Sequence, residues 1–172
     1  MVKALQELGR AHEQVCLDNF VVERESHRVY VLVHKGHHGV TPEGGRCLTA
    51  SYPKYVANLP EHYRSPESLV HTPASAASQP HAAKAADVYA LGCCLFPMLC
   101  GRWLFHDEVS RTVVHTSGAR ELLRQHEAQG LRCPGPQAQD LIAAMTAPDP
   151  AHRPSLDQIW EHPWCTSFAH YR

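Results

Sequence analysis

Histidine is the residue type here with the clearest potential for chemistry, with fourteen in 172 residues. His34, His37 and His38 form an H-x-x-H-H pattern, and neutral imidazoles suit zinc or copper. The nearest further ligands, Glu43 and Cys47, lie beyond a proline, so no cysteine or carboxylate stands at typical zinc-ligand spacing. The pattern favours a solvated loop with pH-responsive charge over a metal site.

Cysteines are the second reactive group. The chain has seven of them and no C-x-x-C pair, which fits reduced thiols in a cytosolic or nuclear protein better than a disulfide framework. Cys16 stands two residues from Asp18, and a neighbouring carboxylate raises the pKa of a thiol. We therefore expect Cys16 to be inert.

Composition and charge indicate an ordinary globular domain. Apolar residues make up 44% and charged residues 19%, and the net charge of -1 removes the electrostatic basis for binding nucleic acid. The longest nearly apolar run, residues 88–100, is shorter than the roughly 20 residues of a membrane span, and nothing resembles a signal peptide. We expect one soluble domain over residues 1–172, cytoplasmic or nuclear, without nucleic-acid or membrane partners.

The first half of the chain is predicted to contain little helix. Residues 1–12 have the spacing of an amphipathic helix end, and the β-rich runs 20–22 and 29–33 predict a hairpin. Residues 34–66 show no sustained period and predict a long irregular loop. Residues 69–86 are rich in Ala, Ser, Pro and His, which predicts a flexible insert.

The second half is predicted to be helical, so the fold class is mainly α. Asp87 is expected at the N-cap or in the first turn of its first helix, with a kink or early stop at Pro97. Ser155 is placed to cap the last helix, with Asp157 in the first turn. The predicted helices are 88–100, about 108–128, 137–145 and 155–160.

Several segments, in chain order, resemble the C-terminal lobe of eukaryotic protein kinases. Residues 87–92 (DVYALG) resemble the D-V-W-S-L-G start of its central helix, and residues 100–105 (CGRWLF) resemble the following x-G-x-x-P-F turn. Residues 148–163 (PDPAHRPSLDQIWEHP) are similar to the closing P-x-x-R-P-[ST] helix. Residues 84–88 (KAADV) and 105–107 (FHD) look most like the Tribbles pseudokinases. The resemblance implies a kinase-like C-lobe with a short hairpin and a long activation-segment-like loop.

The resemblance also assigns structural roles. Asp87 matches the helix-start aspartate that holds the catalytic-loop backbone in this family. Glu67, in Ser65-Pro66-Glu67, matches the A-P-E glutamate, which pairs with the arginine matched by Arg153. Leu59-Pro60-Glu61 is a competing match to A-P-E, so Glu61 is the alternative partner.

The positions that carry kinase chemistry are occupied by other residues. Residues 16–22 (CLDNFVV) resemble the end of the catalytic loop, so H-R-D falls on His12, Glu13 and Gln14, with Gln14 at the position of the base. The D-F-G site falls on 34–36 (His34, Lys35 and Gly36) or one residue earlier, and neither alignment supplies a carboxylate. Asn19 alone matches the metal-binding set, as a weak cofactor-binding candidate or a turn residue.

These substitutions predict a catalytically degenerate protein that binds other proteins. The sequence contains no G-x-G-x-x-G and no V-A-I-K, so the N-terminal lobe is expected to be absent and no cofactor is expected. The resemblance to Tribbles implies a signalling scaffold whose partners include a ubiquitin ligase or a kinase. The alternative is a truncated or spliced fragment of an active serine/threonine kinase that uses ATP and Mg²⁺. A third interpretation is a lobe that is unstable by itself because apolar residues of its upper face are exposed.

Overall fold

A computed structural model describes residues 11–26, 29–31, 59–70, 80–107, 112–113 and 118–167. The predicted helix end at 1–10 and most of the predicted loop at 34–66 lie outside these residues. Six α-helices occur in the described ranges: α1 Pro66–Val70, α2 Pro80–Cys100, α3 Ala119–Ala128, α4 Pro136–Met145, α5 Leu156–Glu161 and α6 Pro163–Thr166.

Helix α2 is the centre of the core. Its alanine-rich start favours helix, and Tyr89, Cys93 and Phe96 are buried along its length. It packs against α4 and against two 3-10 helices, Glu61–Tyr63 and Pro150–His152. The apolar residues of α2 therefore form the surface on which the remaining elements assemble.

A flexible insert is expected at 69–86, but at both ends of this range the structure has helix instead. Leu69 lies in α1, and α2 already begins at Pro80, so Asp87 is an interior helix residue and not a cap. Alanine has the highest helix propensity, and Ala83 is buried, so propensity and packing together override the low-complexity pattern. The expected stop at Pro97 is also wrong. Pro97 lacks the N–H that would bond the Cys93 carbonyl, yet the helix continues for one more turn, and the Gly101 N–H donates to the Pro97 carbonyl at 2.8 Å.

Two short antiparallel strand pairs also occur in the described ranges. Strands β1 Phe20–Val22 and β2 Val29–Val31 pair with Phe20 opposite Val31, as the β-rich runs predict. Strands β3 His106–Asp107 and β4 Thr112–Val113 form the second hairpin, with His106 opposite Val113. The helix expected from 108 is therefore wrong at its start, where β-branched residues favour a strand.

The closing helices follow the predicted capping chemistry. Ser155 and Gln158 form a capping box at the start of α5, in which the Ser155 side chain accepts from the Gln158 N–H and the Gln158 side chain accepts from the Ser155 N–H. Asp157 lies in the first turn of α5. This reciprocal pair fixes where the helix begins.

Within the described residues, one helix is long and apolar enough to cross a membrane, judged by length and composition alone. The window Ala83–Cys100 in α2 spans 18 residues with a mean hydropathy of 1.4, and 56% of it is buried within the fold. Central helices of globular domains share these properties, so the finding is weak support for a span.

Helices α2 and α4 lie close together at Gly92. A Cβ atom at this position would lie 2.7 Å from Thr146 Cγ2 and 3.0 Å from Met145 Cβ. Thr146 is itself fixed by a hydrogen bond of 2.7 Å from its hydroxyl to the Ile142 carbonyl. A glycine is therefore required where the two helices cross.

We predict that Gly92→Ala lowers the free energy of unfolding by about 1–3 kcal/mol, because overpacking outweighs the gain of about 1 kcal/mol in helix propensity. Urea denaturation measures the change. Met98→Ala in the same helix is the matched control, since Met98 is 61% exposed, and should be nearly neutral. A Gly92→Ala protein as stable as the parent would contradict the close approach.

Candidate functional site

The loop that precedes β1 is held by the carboxylate of Asp87. Asp87 is buried in α2, and its two oxygens accept hydrogen bonds from the backbone N–H groups of His12 at 2.6 Å and Glu13 at 2.8 Å. Two charge-assisted bonds compensate the burial of this carboxylate. Asp87 thus fixes the backbone at the residues aligned with H-R-D.

The side chain of Asn19 closes the same loop from its other end. Its Nδ2 atom donates to the Gln14 carbonyl oxygen at 2.8 Å, across the short 3-10 helix Leu17–Asn19. The Leu17 N–H donates to the buried Tyr63 hydroxyl at 3.0 Å. The Asn19 side chain thus shapes the turn that presents Gln14.

Gln14 occupies the position expected for the catalytic base. Its neighbours Glu13 and Asp18 are the carboxylates of this loop, and Asp18 is exposed. A glutamine side chain cannot take a proton from an attacking hydroxyl at neutral pH. The expected D-F-G residues His34, Lys35 and Gly36 lie outside the described residues.

Arg153 and Glu67 form a buried ion pair. Arg153 Nη1 lies 2.6 Å from Glu67 Oε1 and Nη2 lies 2.7 Å from Oε2, in bidentate geometry. The Arg153 side chain is 0% exposed and that of Glu67 is 12% exposed. The competing candidate, Glu61, lies exposed in a 3-10 helix, so the structure selects Glu67 as the partner.

The remaining donors of Arg153 are also satisfied. Arg153 Nε donates to the Ala147 carbonyl at 2.8 Å, and the Nη groups donate to the carbonyls of Pro148 at 3.1 Å and Ala85 at 3.0 Å. The guanidinium carbon lies 4.9 Å from the centre of the Tyr89 ring. One side chain therefore joins α1, the start of α2 and the segment after α4.

Burial sets the acid–base properties of this region. Desolvation raises the pKa of the Glu13 carboxyl to about 7. It also raises the pKa of the Cys16 thiol above its ordinary value, with a smaller rise from the charge of Asp18. Cys16 is buried, which makes it a poor nucleophile.

A small cavity of about 20 Å³, partly open to solvent, lies between the loop and α2. Its polar lining comes from Glu13, Arg64, Ser65, Ser68 and Asp87. Glu13 has a backbone φ of 64°, a left-handed conformation that is uncommon for residues other than glycine. The hydrogen bond from its N–H to Asp87 holds this conformation.

Within the part of the chain that the structure describes, no three His, Cys, Asp or Glu residues are grouped to hold a metal ion. The H-x-x-H-H pattern lies outside that part. Sequence reasoning missed the roles of Glu13 and Tyr63. The only signal for Tyr63 was an aromatic residue four positions before Glu67, in a stretch without periodicity.

We predict that Glu67→Gln lowers the free energy of unfolding by about 3–5 kcal/mol, because Arg153 is then left as a buried charge without a counter-ion. Urea denaturation provides the measurement. Arg120→Gln is the matched control, because it removes an ion pair with Asp140 whose side chains are 70% and 55% exposed. That change should cost no more than about 1 kcal/mol. Equal costs for the two variants would refute the buried pair.

We predict that Glu13→Gln stabilises the fold at pH 8 and not at pH 4.5. The pKa of Glu13 is raised in the folded state, so the folded protein holds this proton more tightly than the unfolded chain does. The resulting contribution to the free energy of unfolding is present at low pH and is lost as pH rises from about 4.5 to about 7. The variant should exceed the parent by up to about 3 kcal/mol at pH 8. Arg64 and Asp87 line the same pocket in both proteins, so the difference isolates Glu13.

Denaturation curves at several pH values between 4.5 and 8 give this difference. The control is Glu61→Gln, at an exposed carboxylate, which should follow the parent at every pH. A Glu13→Gln curve parallel to that of the parent would contradict the prediction.

Comparison with known proteins supports this architecture. A family model for the protein kinase domain matches residues 46–165. An Aurora kinase of Dictyostelium discoideum is 25% identical over 176 residues, covering 98% of this chain and 44% of the relative. Tribbles homolog 2 of Mus musculus is 32% identical over 102 residues, covering 59% of this chain and 26% of the relative. Testis-specific serine/threonine-protein kinase 3 of Mus musculus is 27% identical over 159 residues, with coverages of 92% and 52%.

The chain thus spans between 26% and 52% of the length of these relatives. Among solved structures, the Rad53 kinase domain with SCD2 in complex with AMPPNP is similar in fold. The TM-score is 0.56 at 18% identity, over 95% of this chain and 54% of that one. The predicted kinase-like, mainly α fold is confirmed. The chain belongs to the protein kinase domain family and has Tribbles-like similarity within it.

Proposed function

We propose that this chain is a catalytically degenerate kinase-like domain that binds other proteins as a scaffold or regulator in signalling. The observation that carries the proposal is Gln14 at the base position, in a loop that Asp87 and Asn19 hold in place. Asp87 and Asn19 hold this loop by three hydrogen bonds of 2.6 to 2.8 Å. The loop is therefore built as in an enzyme and lacks the group that does the chemistry.

The magnitude of the loss supports this interpretation. Removing a general base slows a reaction by roughly 10²- to 10⁴-fold. Kinases usually turn over at about 1–100 s⁻¹, so about 10⁻⁴ to 1 s⁻¹ would remain with every other group intact. Almost all of this range lies below the usual turnover of a kinase, whereas a protein that only binds partners needs no turnover.

The described residues do not fit a magnesium–nucleotide site. Mg²⁺ prefers oxygen ligands that include one or two carboxylates. The loop has Gln14 in place of an aspartate, and Asn19, whose Nδ2 atom donates to the Gln14 carbonyl, offers only a neutral amide oxygen as a ligand. We therefore assign no step of phosphate chemistry to this chain.

The scaffold role draws its support from the similarity to Tribbles homolog 2. Tribbles proteins are pseudokinases, and by that analogy the partners of this chain are signalling proteins together with a ubiquitin ligase or a kinase. The chain has contacts whose loss would destabilise the fold, such as the buried Arg153–Glu67 ion pair. A folded lobe without chemistry is what such a scaffold needs.

The second candidate function is that of a portion of an active serine/threonine kinase. It is favoured by the similarity to the Dictyostelium Aurora kinase, which extends over 98% of this chain. Under this proposal ATP and Mg²⁺ are the cofactors, and the remaining groups come from elsewhere in a longer protein.

We predict no transfer of phosphate from ATP in the presence of Mg²⁺ to a generic protein substrate above a heat-killed control. The same mixture should raise the melting temperature by less than about 2 °C, because a ligand that does not bind gives no stabilisation. Transfer at any reproducible rate, or a larger shift, would support the active-kinase candidate instead.

Gln14→Asp is the matched variant for this assay, because it restores a carboxylate at the base position. If the protein is degenerate beyond this residue, the variant should also be silent. Transfer by the variant alone would show that the base is the only missing group and would favour recent descent from an enzyme. For the scaffold role, the test is co-purification of the intact chain with a kinase or ubiquitin-ligase subunit, and its failure against a panel of both would count against that role.

A further inference from the structure

The short helix α5 presents a tryptophan to solvent. Trp160 is 57% exposed, although Leu156 and Ile159 of the same helix pack against the core. At about 100° per residue, Leu156 and Ile159 define the buried side of α5, and Trp160 lies at the edge of that side. An indole surface left in water gains free energy when it is covered, and tryptophan is among the residues that contribute most to protein–protein binding.

Two carboxylates accompany this indole on the exposed part of α5. Asp157 and Glu161 are both exposed. They are four residues apart, and Trp160 follows Asp157 by three residues, so the three side chains share one face of the helix. Like charges at a spacing of four residues disfavour a helix. A cation bound beside Asp157 and Glu161 would relieve this repulsion.

The segment around this face contributes no exposed lysine or arginine. Residues 154–167 contain neither residue type. The arginine that precedes them, Arg153, has a side chain that is fully buried in the fold. His162 Nε2 lies 3.4 Å from Asp140 Oδ2. The face around Trp160 is therefore an aromatic surface with negative charge, which complements a cationic group.

We propose that the face formed by Asp157, Trp160 and Glu161 binds an arginine that a partner protein presents in an exposed segment. The planar guanidinium stacks on the indole ring, and its N–H groups bond the carboxylate oxygens. A lysine ammonium is more strongly hydrated and gains less from the ring. The proposal deepens the scaffold function and rests on it only in the statement that the arginine belongs to a partner.

The test is a titration of the full chain at pH 7 with three blocked hexapeptides, followed by NMR chemical shifts. The first is Ac-Gly-Ser-Arg-Gly-Ser-Arg-amide, and the other two have lysine or citrulline in place of arginine. Citrulline keeps the planar shape of the arginine side chain and lacks its charge. We expect the arginine peptide to bind about tenfold more tightly than the citrulline peptide and about threefold more tightly than the lysine peptide, with a shift at the Trp160 indole N–H.

Three results of this titration would contradict the proposal. Equal binding of the arginine and citrulline peptides would show that charge plays no part. Equal binding of the arginine and lysine peptides would overturn the assignment to arginine. Shifts at other residues without a shift at the Trp160 indole would overturn the assignment to this face.

Trp160→Leu is the decisive variant, because it keeps an apolar side chain with good helix propensity and removes the indole ring. It should weaken binding of the arginine peptide about threefold, and Glu161→Gln should weaken it about twofold to threefold. The matched control is Glu61→Gln, at an exposed carboxylate of another element, which should leave binding unchanged. Cooperative urea unfolding verifies that each variant is folded.

Unchanged binding by folded Trp160→Leu would refute the role of the ring. If that variant does not fold, Glu161→Gln decides, and unchanged binding by it would refute the face. A loss of the same size in Glu61→Gln would show attraction by net charge alone and would also refute it.

The outcomes are separable from those of the proposed function. Phosphate transfer together with the preference for the arginine peptide would remove the non-catalytic role and leave the arginine-binding face in place. Silence in the transfer assay without that preference would remove the face alone.

Discussion

The structure depends first on one buried carboxylate in the middle of its central helix. Asp87 is 2% exposed, and an ionised group at that depth is tolerated only with strong partners. The backbone N–H groups of His12 and Glu13 provide them. The loop is therefore placed by the helix core, and its order depends on contacts made 74 or 75 residues away along the chain.

A second long-range tie links the segments that surround this helix. The Arg153 side chain bonds Glu67, the Ala85 carbonyl and two carbonyls that follow α4. Each bond satisfies an Arg153 donor that would otherwise be buried without a partner, so these bonds stabilise the fold as one network. Together with the close approach at Gly92, this tie fixes α1, α2 and α4 relative to one another.

Local patterns predicted the elements more successfully than the boundaries. The prediction that Ser155 caps a helix with Asp157 in its first turn rests on neighbouring residues alone, and the structure has that cap, which Gln158 completes as a capping box. The start of α2 could not be read in this way, because alanine-rich low-complexity sequence is typical of both linkers and helices. The conformation of Glu13 was also unreadable, because it is imposed by Asp87, far away in the sequence.

The residues that hold the fold together are different from the residue at the base position. This difference explains how a kinase-like lobe can lose its chemistry and keep its fold. The contacts at the base position use the backbone of Gln14, whose carbonyl accepts from Asn19, and leave its side chain out of the described hydrogen bonds. A change from carboxylate to amide at this position therefore removes no structural bond. A change at Asp87 or Arg153 would leave buried polar groups without partners, at several kcal/mol each. If the proposed non-catalytic function holds, mutation without selection for phosphate transfer changes the first kind of residue and spares the second, and Gln14 beside Asp87 and Arg153 fits that expectation.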